Sequence, residues 1–158
     1  MANYLSSTGR IKPLPGNEST AKVLGYAGLI PFVVFSIGCW IPLPMITNAA
    51  QILIAYAAVI LSFMGAVHWG VAMSSTDQQR GKVFIASVIP ALIAWPALLL
   101  SQPLAMSVLL SGFIGLYAYD RSVEKSQALP DWYIPLRTRL TFTVALCLAA
   151  ALLAVTMR

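Results

Sequence analysis

The sequence predicts an all-α membrane protein, a polytopic bundle of five transmembrane helices with the N-terminus in the cytoplasm and the C-terminus outside. Three observations lead to this prediction. Of the 158 residues, 59% are hydrophobic and only 9% are charged, whereas a soluble domain carries about 25% charged residues. Five apolar segments each approach the roughly 20 residues that a bilayer core requires. The basic residues collect on one side of those segments.

Each of the five segments is continuously apolar, with no Asp, Glu, Lys or Arg in its interior. A segment in lipid must satisfy its backbone hydrogen bonds internally, so such runs predict helices, and the lack of alternation argues against a β-barrel. In chain order, the predicted spans are residues 22–41, 48–73, 82–100, 103–119 and 140–157. A polar cytoplasmic arm, residues 1–21, precedes them, and residues 120–139 form the longest loop, also predicted to be cytoplasmic.

Prolines interrupt two of the predicted spans. Pro31 lies in the first span, and Pro90 and Pro96 lie in the third. Because proline donates no backbone hydrogen bond and its ring collides with the preceding turn, we expect helix kinks at these positions.

Small residues recur four positions apart on the second and fourth spans. Such stripes let helix backbones approach closely in lipid. They predict packing within the bundle or, alternatively, the seam of a homo-oligomer. The stripes are Ala58, Ser62, Ala66 and Gly70 on the second span, and Ser107, Ser111 and Gly115 on the fourth.

The basic residues indicate the orientation of the bundle. Of the ten Lys and Arg residues, all but Arg158 fall on the side of the N-terminus, and cytoplasmic loops are the ones enriched in Lys and Arg. Four of them are predicted to anchor helix ends among lipid headgroups: Lys22, Arg80, Lys82 and Arg139. The net charge of +5 is therefore a topology signal rather than a nucleic-acid-binding patch. The predicted partner is the lipid bilayer, and other membrane proteins or a second copy of the chain are further possibilities.

His68 is the one titratable side chain inside a predicted span, within the run Gly65 to Gly70 that also contains Trp69. An intramembrane histidine needs a polar partner and is a functional candidate. It could relay protons, or it could be a neutral histidine that stabilises the bundle through a hydrogen bond. Both interpretations stay open at this point.

Asp120 and Arg121 follow the fourth span at the same predicted membrane face as His68. They are either an interfacial ion cluster that ends a helix or part of a polar pocket at the cytoplasmic mouth of the bundle. In the second case, we expect water to link His68 to Asp120 without direct contact.

The segment before the fifth span supplies the remaining candidates. Trp132 and Tyr133 favour the headgroup region, and Arg137 can bind lipid phosphate or an anionic ligand. Lipid anchoring is the simpler interpretation. The candidate polar cluster therefore comprises His68, Trp69, Asp120, Arg121, Trp132, Tyr133 and Arg137.

Familiar catalytic patterns are missing from the sequence, which contains no HExxH, GxSxG, CxxC, GxGxxG or P-loop. Cys39 and Cys147 are predicted to be small packing residues. We therefore expect no enzyme activity, no metal, no cofactor and no nucleic-acid partner.

Four stretches of the chain resemble the transmembrane protein 69-like family, small bacterial and mitochondrial inner-membrane proteins defined by a domain of unknown function. The stretches are GYAGLIPF, ILSFMGAVHWGVAM, YAYDRS and DWYIPLRTRLT. The resemblance covers about residues 22–157 and implies an inner-membrane location, here the bacterial cytoplasmic membrane. It implies no reaction and no catalytic residue.

Three classes of function are compatible with these observations. The favoured one is an accessory or assembly component of a membrane complex. The alternative is a small proton, ion or solute carrier or channel with a cytoplasmic-side polar vestibule around His68 and Asp120. An intramembrane enzyme is the third, and it lacks a recognisable catalytic set.

Overall fold

The computed structural model describes residues 17–41, 48–74, 80–123 and 131–157, and every regular element in these ranges is a helix. The predicted arm therefore lies outside the described residues up to position 16, and its last residues begin the first helix. The six helices are α1 (Asn17–Ala27), α2 (Ile30–Trp40), α3 (Ala49–Ser74), α4 (Arg80–Ala97), α5 (Gln102–Val123) and α6 (Tyr133–Thr156).

The first predicted span consists of two helices, α1 and α2, that are separated at Gly28 and Leu29. Pro31 lies in the first turn of α2, where its missing N–H is tolerated, but the same residue cannot continue α1. The Tyr56 hydroxyl donates to the Gly28 carbonyl at 2.9 Å, so the break does not leave that carbonyl unpaired. The kink predicted at Pro31 is thus a break in the helix between Ala27 and Ile30, just before the proline.

The helices that follow the break close into a ring in the order α2, α3, α4, α5 and α6, and α3 also contacts α5 across it. The ring is filled by fully buried side chains such as Leu53, Leu61, Leu109 and Leu148, together with Phe113. Alanines at the helix contacts keep the axes close. The α1 helix lies outside the ring, against α6.

Of the helices described, four segments are long and apolar enough to cross a membrane, namely Glu18–Trp40, Ala49–Met73, Gln102–Val123 and Tyr133–Thr156. The fifth, Gly81–Ala97, is apolar but shorter. It contains both Pro90 and Pro96. The predicted all-helical, polytopic membrane bundle is confirmed in the described part of the chain, while its orientation in the membrane stays a prediction.

The loop predicted at residues 120–139 is shorter in the structure. The α5 helix continues to Val123, and α6 begins at Tyr133, seven residues before the predicted start of the fifth span. Asp120 and Arg137 therefore lie inside helices. The prediction failed because it ended each span at the first full charge, whereas two opposite charges that pair with each other can remain within helical ends.

Gly65 brings α3 and α4 together at one point. A Cβ atom at this position would lie 2.6 Å from the Ser87 carbonyl oxygen and 2.9 Å from Pro90 Cγ. Only a glycine lets the two backbones approach this closely.

Candidate functional site

Three side chains from three helices meet in a buried triad, defined here as His68, Asp120 and Arg137. His68 Nε2 lies 2.6 Å from Asp120 Oδ1, and Arg137 Nε donates to Asp120 Oδ2 at 2.6 Å. Their exposed fractions are 0% for His68, 0% for Asp120 and 3% for Arg137. The two oxygens of one carboxylate thus connect α3 and α6 to α5.

The triad lies near one end of the bundle. His68 is six residues from the end of α3, which corresponds to roughly 9 Å along the helix. Asp120 is three residues from the end of α5, and Arg137 is four residues after the start of α6. Since α3 and α5 both end on this side of the bundle and α6 begins there, the three positions fall at the same level.

Electrostatics explain why these three residue types occur together. A single charge buried in an apolar bundle is costly, and its cost falls only when an opposite charge and hydrogen bonds compensate it. The Arg137 guanidinium cancels the Asp120 charge. An ionised carboxylate only accepts hydrogen bonds, so the Nε2 atom of His68 carries the proton that it shares with Asp120.

The structure corrects the prediction that water links His68 to Asp120, because the two side chains are in direct contact. The cause is the close approach of α3 and α5 across the ring, which leaves no gap between the side chains. The Tyr119 ring packs against His68 in a T-shaped arrangement, with ring centroids 5.0 Å apart.

Two residues predicted in the same cluster lie outside the triad. Trp69 is 45% exposed and packs against Phe84, with ring centroids 4.9 Å apart. Arg121 is exposed. Each follows a triad residue directly in sequence, and successive side chains on an α-helix point about 100° apart.

Trp132 and Tyr133 lie beside Arg137 and, with it and Thr141, line a cavity of about 330 Å³. We call this the α1–α6 cavity. Its other walls are apolar side chains of α1, α2, α3, α5 and α6. Neither His68 nor Asp120 lines it.

Thr141 was not among the sequence candidates. It lies one helical turn after Arg137 and is 6% exposed. In the sequence, nothing distinguishes it from other threonines in apolar spans. Its spacing of four residues from Arg137 is the signal that could have identified it, because residues i and i+4 share a helix face.

The predicted anchors that the structure describes are at the surface. Lys22, Lys82 and Arg139 are exposed, and Lys22 forms an ion pair with Glu18 on α1. The side chain of Arg80 lies outside the described residues.

A second cavity, of about 490 Å³, is a groove between α4 and α5. We call it the α4–α5 groove. Ser107, Ser111 and Gly115 line it, and no atom of another helix in the described part of the chain lies within 4 Å of the position that a Gly115 Cβ would take. This part of the predicted small-residue stripe is therefore not used for packing within the bundle.

Within the described ranges, no three His, Cys, Asp or Glu side chains are placed to hold a metal ion. Cys39 is buried, Cys147 is half-buried, and the two do not form a disulfide bond with each other. The chemistry that the described site offers is hydrogen bonding and charge pairing.

Comparison with known proteins places this architecture in a family. Residues 17–153 match the family described as "Protein of unknown function (DUF3429)". The chain is 35% identical to "Transmembrane protein 69" of Xenopus tropicalis over 153 residues, which cover 90% of this chain and 57% of that protein. The chain thus spans little more than half the length of this relative. No solved structure matches. The match over most of the chain shows that this membrane protein belongs to the DUF3429 family.

Proposed function

We propose that this chain is a non-catalytic accessory or assembly component of a membrane protein complex, located in the bacterial cytoplasmic membrane with the triad near the cytoplasmic face. The observation that carries the proposal is the closure of the triad. All three side chains are at least 97% buried, and neither cavity described above is lined by His68 or Asp120.

A carrier or channel needs polar groups that its cargo can reach. In this bundle both oxygens of Asp120 are engaged, one by His68 and one by Arg137 Nε, so the triad stabilises the contact of three helices. Because neither cavity is lined by His68 or Asp120, the surface that would contact the other members of a complex is the outer face of the bundle.

The α4–α5 groove is the part of the outer face that best suits a partner helix. Its small residues Ser107, Ser111 and Gly115 would let another backbone approach closely. A membrane-spanning helix of another protein is the partner with the matching chemistry.

Gly115→Leu is expected to weaken association with a larger complex without unfolding the bundle, because its side chain would enter open space. The measurement is the size of the complex that contains the protein after extraction from native membranes in mild detergent. Gly70→Leu is the matched control, since a Cβ at Gly70 also meets no neighbouring atom of the described residues within 4 Å, but Gly70 lies on α3. If the wild-type protein migrates alone, it is not a component of a complex. If both variants migrate within the complex like wild type, the α4–α5 groove is not the contact surface.

The carrier alternative predicts a different result. Purified protein in liposomes is expected to show no proton or ion flux above that of empty liposomes. A flux that His68→Ala reduces would replace the accessory function by transport.

A further inference from the structure

Four buried polar atoms have no hydrogen-bond partner among the residues that the structure describes. They are Trp132 Nε1, Tyr133 OH, Arg137 Nη2 and Thr141 Oγ1. All four belong to side chains that line the α1–α6 cavity. Buried polar groups without partners are rare in native proteins, and a cluster of four on one cavity requires an explanation.

The chemistry of these atoms specifies what would satisfy them. The Trp132 indole and the Arg137 guanidinium can only donate, and the hydroxyls of Tyr133 and Thr141 can donate or accept. A ligand that brings an acceptor oxygen would therefore match the set. A ligand that carries only donors would leave Trp132 and Arg137 unpaired.

The charge of the site favours a neutral ligand. Arg137 already pairs with Asp120 through Nε at 2.6 Å, so the guanidinium has no uncompensated charge to offer. A buried phosphate or carboxylate would add a negative charge without a counter-ion, which is costly in an apolar environment. A carbonyl oxygen accepts hydrogen bonds without that cost.

The rest of the cavity selects for an apolar body. Its walls include Phe32, Met64 and Phe113. Leu24 and Phe63, which also line it, are 67% and 65% exposed on the outer surface of the bundle, so the cavity reaches the face where a molecule dissolved in lipid would arrive. Its volume of about 330 Å³ is at the lower end of the range for small-molecule sites, roughly 300–1,000 Å³.

From these observations we infer that the α1–α6 cavity binds a membrane-dissolved molecule with a neutral carbonyl oxygen on an apolar body, such as a quinone or a glyceride ester. The carbonyl lies at the Trp132, Tyr133, Arg137 and Thr141 end, and the apolar body extends between α1 and α3. The four polar atoms are buried in the free protein, so binding requires their side chains to turn toward the ligand, as interface side chains commonly do. This inference does not depend on the accessory function.

The test uses the full-length protein in detergent and measures saturable binding by native mass spectrometry and by thermal shift. The probes are a decyl-substituted benzoquinone, dioctanoylglycerol, dioctanoyl phosphatidic acid and decylbenzene. At least one of the first two is expected to bind, and which one binds identifies the source of the carbonyl. Decylbenzene, which has no oxygen, and the anionic phosphatidic acid are expected to bind at least tenfold more weakly.

Two conservative variants separate ligand binding from folding. Thr141→Val and Tyr133→Phe each remove a hydroxyl that has no partner in the free protein, so the unliganded Tm is expected to stay equal or rise. The Kd of the carbonyl probe is expected to increase about three- to tenfold in each variant, as for the loss of one hydrogen bond. The control is Thr143→Val, because the Thr143 hydroxyl is already bonded to the Arg139 carbonyl on the exposed face of α6.

Three results would overturn the inference: no saturable binding of either carbonyl probe, equally tight binding of phosphatidic acid or decylbenzene, or wild-type affinity in both hydroxyl variants. A lower unliganded Tm in both variants would also overturn it, because the hydroxyls would then already have partners, such as buried water.

Discussion

Replacing Asp120 by alanine is expected to lower the free energy of unfolding by about 3–5 kcal/mol, the cost typical of removing one partner from a buried ion pair. The variant leaves the Arg137 guanidinium buried without the carboxylate that it pairs with and removes the hydrogen bond between Asp120 and His68. Reversible unfolding in mixed micelles, or thermal denaturation in detergent, measures the loss.

Glu18→Ala is the matched control for this prediction. It also removes a carboxylate from an ion pair, but Glu18 and Lys22 are both about half exposed. Exposed pairs contribute about 0–1 kcal/mol. If Asp120→Ala is no more destabilising than Glu18→Ala, the triad does not stabilise the bundle.

Gly65→Ala is expected to cost about 1–3 kcal/mol, which is the usual range for inserting atoms into a well-packed contact. The added Cβ would lie 2.6 Å from the Ser87 carbonyl oxygen. A backbone atom cannot move aside as a side chain can, so α3 and α4 must separate along this contact. The same unfolding measurement detects the effect.

The cost of replacing a glycine by alanine is expected to depend on which atoms lie nearest to the added Cβ. Gly112→Ala would place its Cβ 2.7 Å from Leu61 Cδ2, the end of a flexible side chain, so its cost is expected to be smaller than that of Gly65→Ala. The Cβ added by Gly70→Ala meets no atom of another described helix within 4 Å, so this variant is expected to leave the stability unchanged or slightly raised by the better helix propensity of alanine. Equal stabilities for all three variants would show that the α3–α4 contact is looser than the structure has it.

The general fold is predictable from the sequence because the bilayer imposes strong rules on it. Continuous apolar runs of suitable length must be helical, and five such runs correspond to the five helical segments of the structure. The break at Gly28 and Leu29 is partly predictable, since Pro31 requires an interruption, but its position depends on the tertiary contact with Tyr56.

The composition of the site was less predictable. The rule that membrane spans contain no full charge identifies the spans, but it also excludes two residues of the triad from them. Ending each span at a full charge places Asp120 and Arg137 in a loop, and only the pairing of the two charges permits their burial. His68 was identified because it is titratable and lies inside a span. Its direct contact with Asp120 was not, since it depends on how closely α3 and α5 pack.

The helix face on which a residue lies was also not predicted when candidates were grouped by their closeness in the sequence. Trp69 and Arg121 adjoin triad residues in the chain yet face outward, whereas Thr141 is four residues from Arg137 and faces the same cavity. Grouping candidates by helix face, rather than by sequence neighbourhood, would have exchanged the first two for the third.

The most direct test of the triad is a double-mutant cycle between Asp120 and Arg137, with Asp120→Ala, Arg137→Met and the double variant compared by their free energies of unfolding. Each single variant leaves one buried charge without the opposite charge of its ion pair, whereas the double variant removes both charges. The double variant is therefore expected to lose much less than the sum of the two single losses, with a coupling energy of about 1.5–3 kcal/mol or more. Additive losses would contradict the triad, because the two side chains would then contribute independently.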